Sequence, residues 1–245
     1  MLFYALSAFS VAAFGLFVTG EYILPVTTCN HDSVDYSACL KHAMEEAWPR
    51  FTAGLPEIGF PPMDPMTYKY GETTFTTGEL HGVLIVSNVT VIGMSQLHVS
   101  DVRTYFHDEV FHLEIDTLIP HIFLHGDVMF NGLLNVFKLY SKGHFNLTIG
   151  NIKGVWNLTG HVINDTWTAE HFLFTPSFAQ FKAGYKSVIG ENQELMNLVI
   201  TFLNEFWPSI YRLAAPYLIN TWDSWLANNF ANKFFSKFPF SEIFP

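Results

Sequence analysis

The chain has 245 residues, of which 49% are hydrophobic and 14% are charged, and its formal net charge is −10. Binding to nucleic acid or to an anionic membrane requires clustered lysine and arginine, so this charge argues against both partners. The 25 phenylalanines exceed what a compact core usually needs. We therefore expect some of the apolar side chains to line an internal cavity.

Residues 1–20 contain no charged side chain, and their apolar run ends at Val18-Thr19-Gly20. Small residues at this point are typical of a signal peptidase site, so the sequence predicts a cleaved signal peptide and a secreted protein. A retained membrane anchor is the alternative, because the segment lacks a basic start. We expect residues 21–245 to form one ligand-binding domain without stable membrane insertion after cleavage.

Two further features agree with export. Cys29 and Cys39 are the only cysteines, and an oxidising compartment would join them in a disulfide. Four sequons predict N-glycosylation, which requires each asparagine to face solvent. These asparagines are Asn88, Asn146, Asn157 and Asn164.

Hydrophobic spacing predicts a helix over residues 33–52, with Asp32 or Ser33 as its N-cap and a Pro-rich turn after it. From about Tyr68 to Phe181, apolar and polar residues alternate with period two, and Gly, Asn, Asp or Pro separates the runs. This pattern is typical of an antiparallel sheet with one wet face.

The sequons assign the two faces of this sheet, because successive side chains of a strand point to opposite faces. Where Asn146 and Thr148 face solvent, their apolar neighbours must point inward. The other sequons follow the same rule, and within each of the two runs 111–116 and 122–130 the more polar residues fall on a single parity. The inward set that we predict to line the cavity is Val89, Val91, Phe111, Leu113, Ile115, Ile122, Leu124, Val128, Phe130, Phe145, Leu147, Ile149, Trp156 and Leu158.

Residues 192–232 return to helical spacing and predict a long second helix. Pro208 and Pro216 each remove a helical hydrogen bond, which predicts kinks or breaks near Asn204 and Arg212. The apolar residues of this helix form a stripe along one face. Such a stripe is more often plain core than ligand lining, but here it would complete the cavity wall. The stripe consists of Leu195, Val199, Phe202, Phe206 and Ile210.

Motifs for catalysis or metal binding are weak. His121 and His125 are four residues apart, but Ile122 stands where a zinc-protease helix needs Glu. On a strand the two histidines would lie about 13 Å apart, too far to share one ion. The sequence has neither a nucleophile elbow nor a Gly-rich phosphate loop. We expect no catalytic site, no metal and no cofactor, and we read these histidines as surface residues.

The order of signal, cysteine pair, Pro-rich turn, long sheet and long C-terminal helix resembles the insect takeout and juvenile hormone-binding protein family. The most specific stretches are Gly59–Pro65, the pair Gly126 and Gly132, Leu203–Trp207 and Phe238–Phe244. The hormone-binding branch usually carries a second disulfide, which this chain lacks, so the chain looks closer to takeout. Val128 also stands where many relatives have an aromatic hydroxyl.

The resemblance implies an α+β, tubular lipid-binding (TULIP-like) fold, in which a long curved antiparallel sheet wraps around the C-terminal helix with an apolar tunnel between them. It implies a secreted carrier for a small hydrophobic ligand, such as a terpenoid or a fatty-acyl lipid, and it leaves room for a cell-surface receptor as a partner. The alternative is an extracellular signalling or structural glycoprotein whose tunnel is plugged by its own side chains. A continuous empty cavity would distinguish the two.

Overall fold

A computed structural model describes residues 23–77, 80–188 and 193–245. The predicted signal peptide lies outside the described residues. Within these ranges, no helix combines the length and the hydropathy needed to cross a membrane.

The described chain contains both helices and strands, as the predicted α+β class requires. Short 3-10 turns occur at Pro56–Ile58 and Met94–Gln96. The elements are α1 (Tyr36–Ala53), β1 (Met66–Thr77), β2 (Leu80–Ile92), β3 (His98–His107), β4 (Val110–Leu134), β5 (Phe137–Ile163), β6 (Thr166–Ser177), β7 (Gln180–Ser187), α2 (Gln193–Leu226), a π-helical turn (Ala227–Ala231), α3 (Asn232–Phe235) and α4 (Phe240–Ile243).

The strands form one antiparallel sheet built on the long hairpin of β4 and β5, which are 25 and 27 residues long. At the open end of this hairpin, β3 pairs with β4 and β6 pairs with β5. Towards the hairpin turn, β2 takes over as the partner of β4, and β7 takes over as the partner of β5. β1 then pairs with β2. Two sets of short strands are therefore joined by one pair of continuous strands.

The inward face of the long hairpin changes parity halfway along. On β4 the buried apolar residues are odd-numbered up to Ile119 and even-numbered from Ile122, although the register with β5 is continuous. The change occurs at Pro120 and the opposite residue Asn151, the one position that the pairing of β4 with β5 omits, and the φ of Asn151 is 52°. Pro120 lies between the β3-paired and the β2-paired segments of β4, where its missing N–H breaks no ladder. The predicted inward residues of β4 are odd-numbered before Pro120 and even-numbered after it, and the structure shows this same change.

The first helix starts at Tyr36, three residues later than predicted. The predicted caps, Asp32 and Ser33, belong to a preceding turn, in which Ser33 Oγ accepts the N–H of Asp35. The predicted disulfide between Cys29 and Cys39 is present and joins the N-terminal segment to α1.

Helix α2 lies along the sheet edge formed by β6 and β7, each of which pairs only with β5 among the described strands. Edge strands carry unpaired backbone groups, and polar side chains of the C-terminal helices satisfy several of them. Asn204 accepts the N–H of Ala183 at 2.7 Å and donates to its carbonyl at 2.9 Å. Asn232 makes the same pair of bonds to Ala169, at 2.8 and 2.9 Å.

Two further side chains extend this arrangement. Asp223 accepts the N–H of Phe172 at 2.6 Å and also contacts the His171 ring, while Tyr211 donates to the carbonyl of Pro176 at 2.7 Å. Burial raises the pKa of Tyr211, so its hydroxyl stays protonated as a donor. We call Asn204, Tyr211, Asp223 and Asn232 the edge clasp.

Asn232→Asp tests the edge clasp. The change removes the amide that donates to the Ala169 carbonyl and places a carboxylate there, so we expect a loss of about 1–3 kcal/mol in the free energy of unfolding. Urea denaturation followed by tryptophan fluorescence measures this loss. Asn228→Asp, at an exposed position one turn earlier, is the control and should change stability by no more than about 0.5 kcal/mol. Equal effects of the two changes would contradict the clasp.

The structure corrects two predictions about α2. We predict kinks or breaks near Asn204 and Arg212, but the helix continues through Pro208 and Pro216 to Leu226, so it is not broken there. Packing supports the helix here, because Trp207 stacks on Phe178 with ring centroids 4.8 Å apart. The irregular turn follows Leu226 instead and is π-helical.

The predicted apolar stripe also does not pack under the sheet. Ile210 is half-buried, whereas the other four members are between 44% and 56% exposed: Leu195, Val199, Phe202 and Phe206. At 100° per residue, they lie on the face of α2 opposite Asn204, Trp207 and Tyr211. Because α2 is apolar around much of its circumference, the sequence pattern does not determine which face packs on the sheet. Hydrogen bonds to the strand edge determine which face does.

Candidate functional site

An apolar cavity of about 150 Å³ lies between α1, the inward face of β3 to β6 and the C-terminal segment. Each wall comes from a distant part of the chain: Leu40 and Trp48 from α1, Leu113 from β4, and Phe230 and Phe235 from the end of the chain. An apolar space of this size accepts a benzene-sized group. The site therefore suits the binding of a compact hydrophobic group.

The polar groups at this cavity already have partners. Thr117 Oγ accepts the indole N–H of Trp156 at 3.0 Å and donates to the carbonyl of Gly154 at 3.1 Å. Thr27 donates to Glu46 at 2.9 Å. A ligand that fills the cavity would therefore gain from burying apolar area rather than from new hydrogen bonds.

Aromatic side chains form much of the wall opposite the sheet. Phe51 makes edge-to-face contacts with Phe234 at 5.2 Å and with Phe60 at 5.3 Å, and Phe60 meets Phe230 at 5.7 Å. These contacts join α1 and the Pro-rich turn to the C-terminal segment. The wall is thus held by aromatic packing between segments that are 170 residues (Phe60 to Phe230) to 183 residues (Phe51 to Phe234) apart in sequence.

The predicted inward residues fall into three groups. Four of them, Leu113, Ile115, Trp156 and Leu158, line the cavity. Four others are buried beside it or beyond it: Val89, Val91, Phe111 and Ile122. The remaining six, which lie towards the hairpin turn, are half-buried: Leu124, Val128, Phe130, Phe145, Leu147 and Ile149. The cavity thus includes only the predicted residues at the open end of the hairpin.

Sequence reasoning missed two walls of the cavity. One is α1, where Leu40, Ala43 and Trp48 face the cavity, and the other is the C-terminal segment with Phe230 and Phe235. Both had helical apolar spacing, but no local signal distinguishes a cavity wall from ordinary core. None of the predicted α2 stripe lines the cavity.

Three of the four sequon asparagines are exposed: Asn88, Asn146 and Asn164. Asn88 and Asn164 have positive φ, at a β-bulge and at the β5–β6 turn respectively. Asn157 differs from the expectation, because it is only half-exposed and its Oδ1 is buried without a hydrogen-bond partner. It lies on β5 between β4 and β6, where neighbouring side chains cover it.

The histidine pair lies on β4, and both His121 and His125 are exposed. In the part of the chain that the structure describes, no three His, Cys, Asp or Glu side chains gather closely enough to hold a metal ion. A second cleft of about 370 Å³ lies beside the N-terminal segment. Charged Arg50 and Glu57 contribute to its lining, so it suits an apolar ligand less well than the first cavity.

The sequence and the fold of this chain are both similar to those of known proteins. Residues 6–245 match the family model described as haemolymph juvenile hormone binding protein. The chain belongs to this family. Takeout 1 of Epiphyas postvittana is a similar solved structure, with a TM-score of 0.65 and 20% sequence identity. The match covers 88% of this chain and 98% of that one, and it supports the tubular lipid-binding fold. No curated protein sequence matches significantly.

Family membership supports a carrier kind of function, the binding of a hydrophobic ligand, for this chain. In this member the position two residues after Gly126 is Val128, which is half-buried and carries no hydroxyl. On the same half of the sheet, the hydroxyls of Ser141 and Tyr185 are hydrogen-bonded to each other at 2.5 Å.

Proposed function

We propose that the protein is a secreted, N-glycosylated carrier that holds a compact hydrophobic group, such as one end of a terpenoid or fatty-acyl ligand, in the 150 Å³ cavity. The observation that carries this proposal is the chemistry of the cavity wall. Its side chains are apolar, and its threonines bond to protein groups rather than pointing unpaired into the space. Such a site selects by shape and length, at about 0.8 kcal/mol for each methylene buried.

The size of the cavity bears on the ligand. A long terpenoid or acyl chain is larger than a benzene-sized group, so only part of it would fit inside. The half-buried residues Leu124, Leu147 and Ile149 continue the inward face of the sheet towards the hairpin turn. We propose that the rest of a long ligand follows this face.

Export and glycosylation are supported by the disulfide and by the exposure of Asn88, Asn146 and Asn164. Asn88 donates through Nδ2 to Asp127 at 2.8 Å, and this bond holds the pKa of that carboxyl below its usual value. A glycan replaces only one of the two Nδ2 hydrogens, so the contact with Asp127 is compatible with glycosylation. We propose these three sites, rather than Asn157, as the occupied ones.

The small size of the cavity favours one second candidate, an extracellular signalling or structural glycoprotein that binds no ligand. In that case the aromatic wall formed by Phe51, Phe60, Phe230 and Phe234 is a plug rather than a lining. A binding measurement separates the two candidates.

The test uses protein secreted from insect cells. Native mass spectrometry should show a noncovalent ligand that is released on collisional activation, together with the mass of the attached glycans. After delipidation, a fluorescent fatty-acyl or terpenoid probe should bind saturably with one site per chain. Absence of both a copurified ligand and probe binding would replace the carrier proposal with the second candidate.

A further inference from the structure

Exposed apolar side chains gather at the end of the molecule where β4 turns into β5. Val136 in this turn is 78% exposed, and Leu133 and Tyr140 on the flanking strands are also exposed. Val188, just after β7, is 57% exposed, and its N–H donates to the carbonyl of Lys142. Leu133, Val136 and Tyr140 form one surface, which we call the hairpin end, and Val188 lies at its base.

The hairpin end projects beyond the start of α2. Ser187 pairs with Gly143 on β5, and its N–H donates to the side chain of Gln193, the first residue of α2. From this level, β5 extends six residues further to Phe137, a distance of about 20 Å at the usual rise of a strand. The tip is therefore a protrusion, and the first exposed apolar residues of α2, Leu195 and Leu198, lie at its base.

The charge of this end differs from that of the whole protein. Among the described residues at or beyond the level of Lys142, the two lysines Lys138 and Lys142 are balanced by Glu72 on β1 and Glu194 on α2. Lys138 and Lys142 flank Tyr140 along β5, and all three are exposed. Lysines with long apolar stems, together with a tyrosine, are the residues that favour the boundary between lipid headgroups and acyl chains.

We propose that the hairpin end docks on a zwitterionic phospholipid surface, with Leu133 and Val136 entering the acyl–headgroup boundary. Apolar side chains at a protruding tip reach this boundary without insertion of the whole domain. Local neutrality matches the zwitterionic headgroups, whereas the acidic remainder of the surface stays in water. This docking goes beyond ligand binding and does not depend on what the cavity holds.

The experiment is flotation of the full-length secreted protein with phosphatidylcholine vesicles. The double change Leu133→Asp and Val136→Asp places two carboxylates in the boundary, and we expect the vesicle partition coefficient to fall about tenfold or more. Ile163→Asp is the matched control, because Ile163 is 67% exposed at the opposite end of β5 and should leave partitioning unchanged. Probe binding without vesicles should be the same in all three proteins, which separates this test from that of the carrier function.

Three results would overturn the proposal. The first is a wild-type protein that stays in solution with phosphatidylcholine vesicles or floats only when anionic lipid is added. The second is an Ile163→Asp protein that loses as much partitioning as the tip variant. The third is a tip variant that converts a dimer to a monomer in sedimentation velocity while vesicle partitioning is unchanged, since a second copy of the chain would then cover this surface.

Discussion

Replacing Ala43 with leucine should abolish saturable binding of a fatty-acyl or terpenoid probe while the protein remains folded. Ala43 lies on α1, is buried and faces the cavity. Leucine adds three carbon atoms, which would occupy much of a space of about 150 Å³. Filling an existing void does not force neighbouring side chains apart, and such changes commonly stabilise a protein by about 0.5–2 kcal/mol. Probe titration and thermal melting of the same samples measure both effects.

Ala47→Leu is the matched control, one turn further along the same helix. Ala47 is also buried but does not line the cavity. The added carbons have no space to enter there, so overpacking should cost about 1–3 kcal/mol in the free energy of unfolding. If Ala43→Leu binds the probe as tightly as the wild type, the cavity is not the binding site. If the two variants are equally destabilised, the space near Ala43 is already filled.

Trp167→Ala should produce the largest loss of stability of any single change considered for this chain. Trp167, on β6, is 1% exposed and contacts the rings of Phe111 and Phe235, with centroid distances of 4.9 and 4.3 Å. Removing a buried indole should cost about 3–5 kcal/mol, since it loses transfer free energy and leaves a void. Probe binding should also weaken, because Phe235 lines the cavity. Urea denaturation gives the stability change.

Trp167→Phe is the comparison that separates the contribution of the aromatic ring contacts from the loss of the whole side chain. The indole Nε1 of Trp167 is buried without a hydrogen-bond partner, so phenylalanine removes an unsatisfied polar atom while it keeps an aromatic ring in contact with its neighbours. Its cost should be clearly smaller than that of alanine. A cost below about 1 kcal/mol for Trp167→Ala, the value for an ordinary substitution, would show that the aromatic contacts around Trp167 do not hold the sheet to the C-terminal segment.

The inward face of the sheet could be predicted because strand periodicity is a local property of the chain. Asn146 and Thr148 are exposed, and Phe145 and Leu147 on the opposite face are half-buried, as alternation demands. The change of parity at Pro120 could also be predicted, because the alternation before Pro120 and the alternation after it each assign their own inward residues. The disulfide between Cys29 and Cys39 was also predictable, because only one pairing exists.

The face of α2 that meets the sheet could not be predicted. Apolar residues surround much of the helix, so Leu195, Val199, Phe202 and Phe206 formed as convincing a stripe as any other. The observed face is chosen by Asn204 and Tyr211, whose partners are backbone groups of distant edge strands. Those backbone groups have no signature in the sequence.

The sequence by itself determined the order of elements, the one-sided sheet, the cysteine pairing and the membership of a family that binds hydrophobic ligands, because each depends on residue type and spacing along the chain. Tertiary structure alone decided where the cavity lies and which side of α2 is covered. The cavity forms where α1, β4 and the last sixteen residues meet, and its volume is the small remainder left by packing large aromatic rings. Such a remainder depends on all the walls at once, so no single segment encodes it.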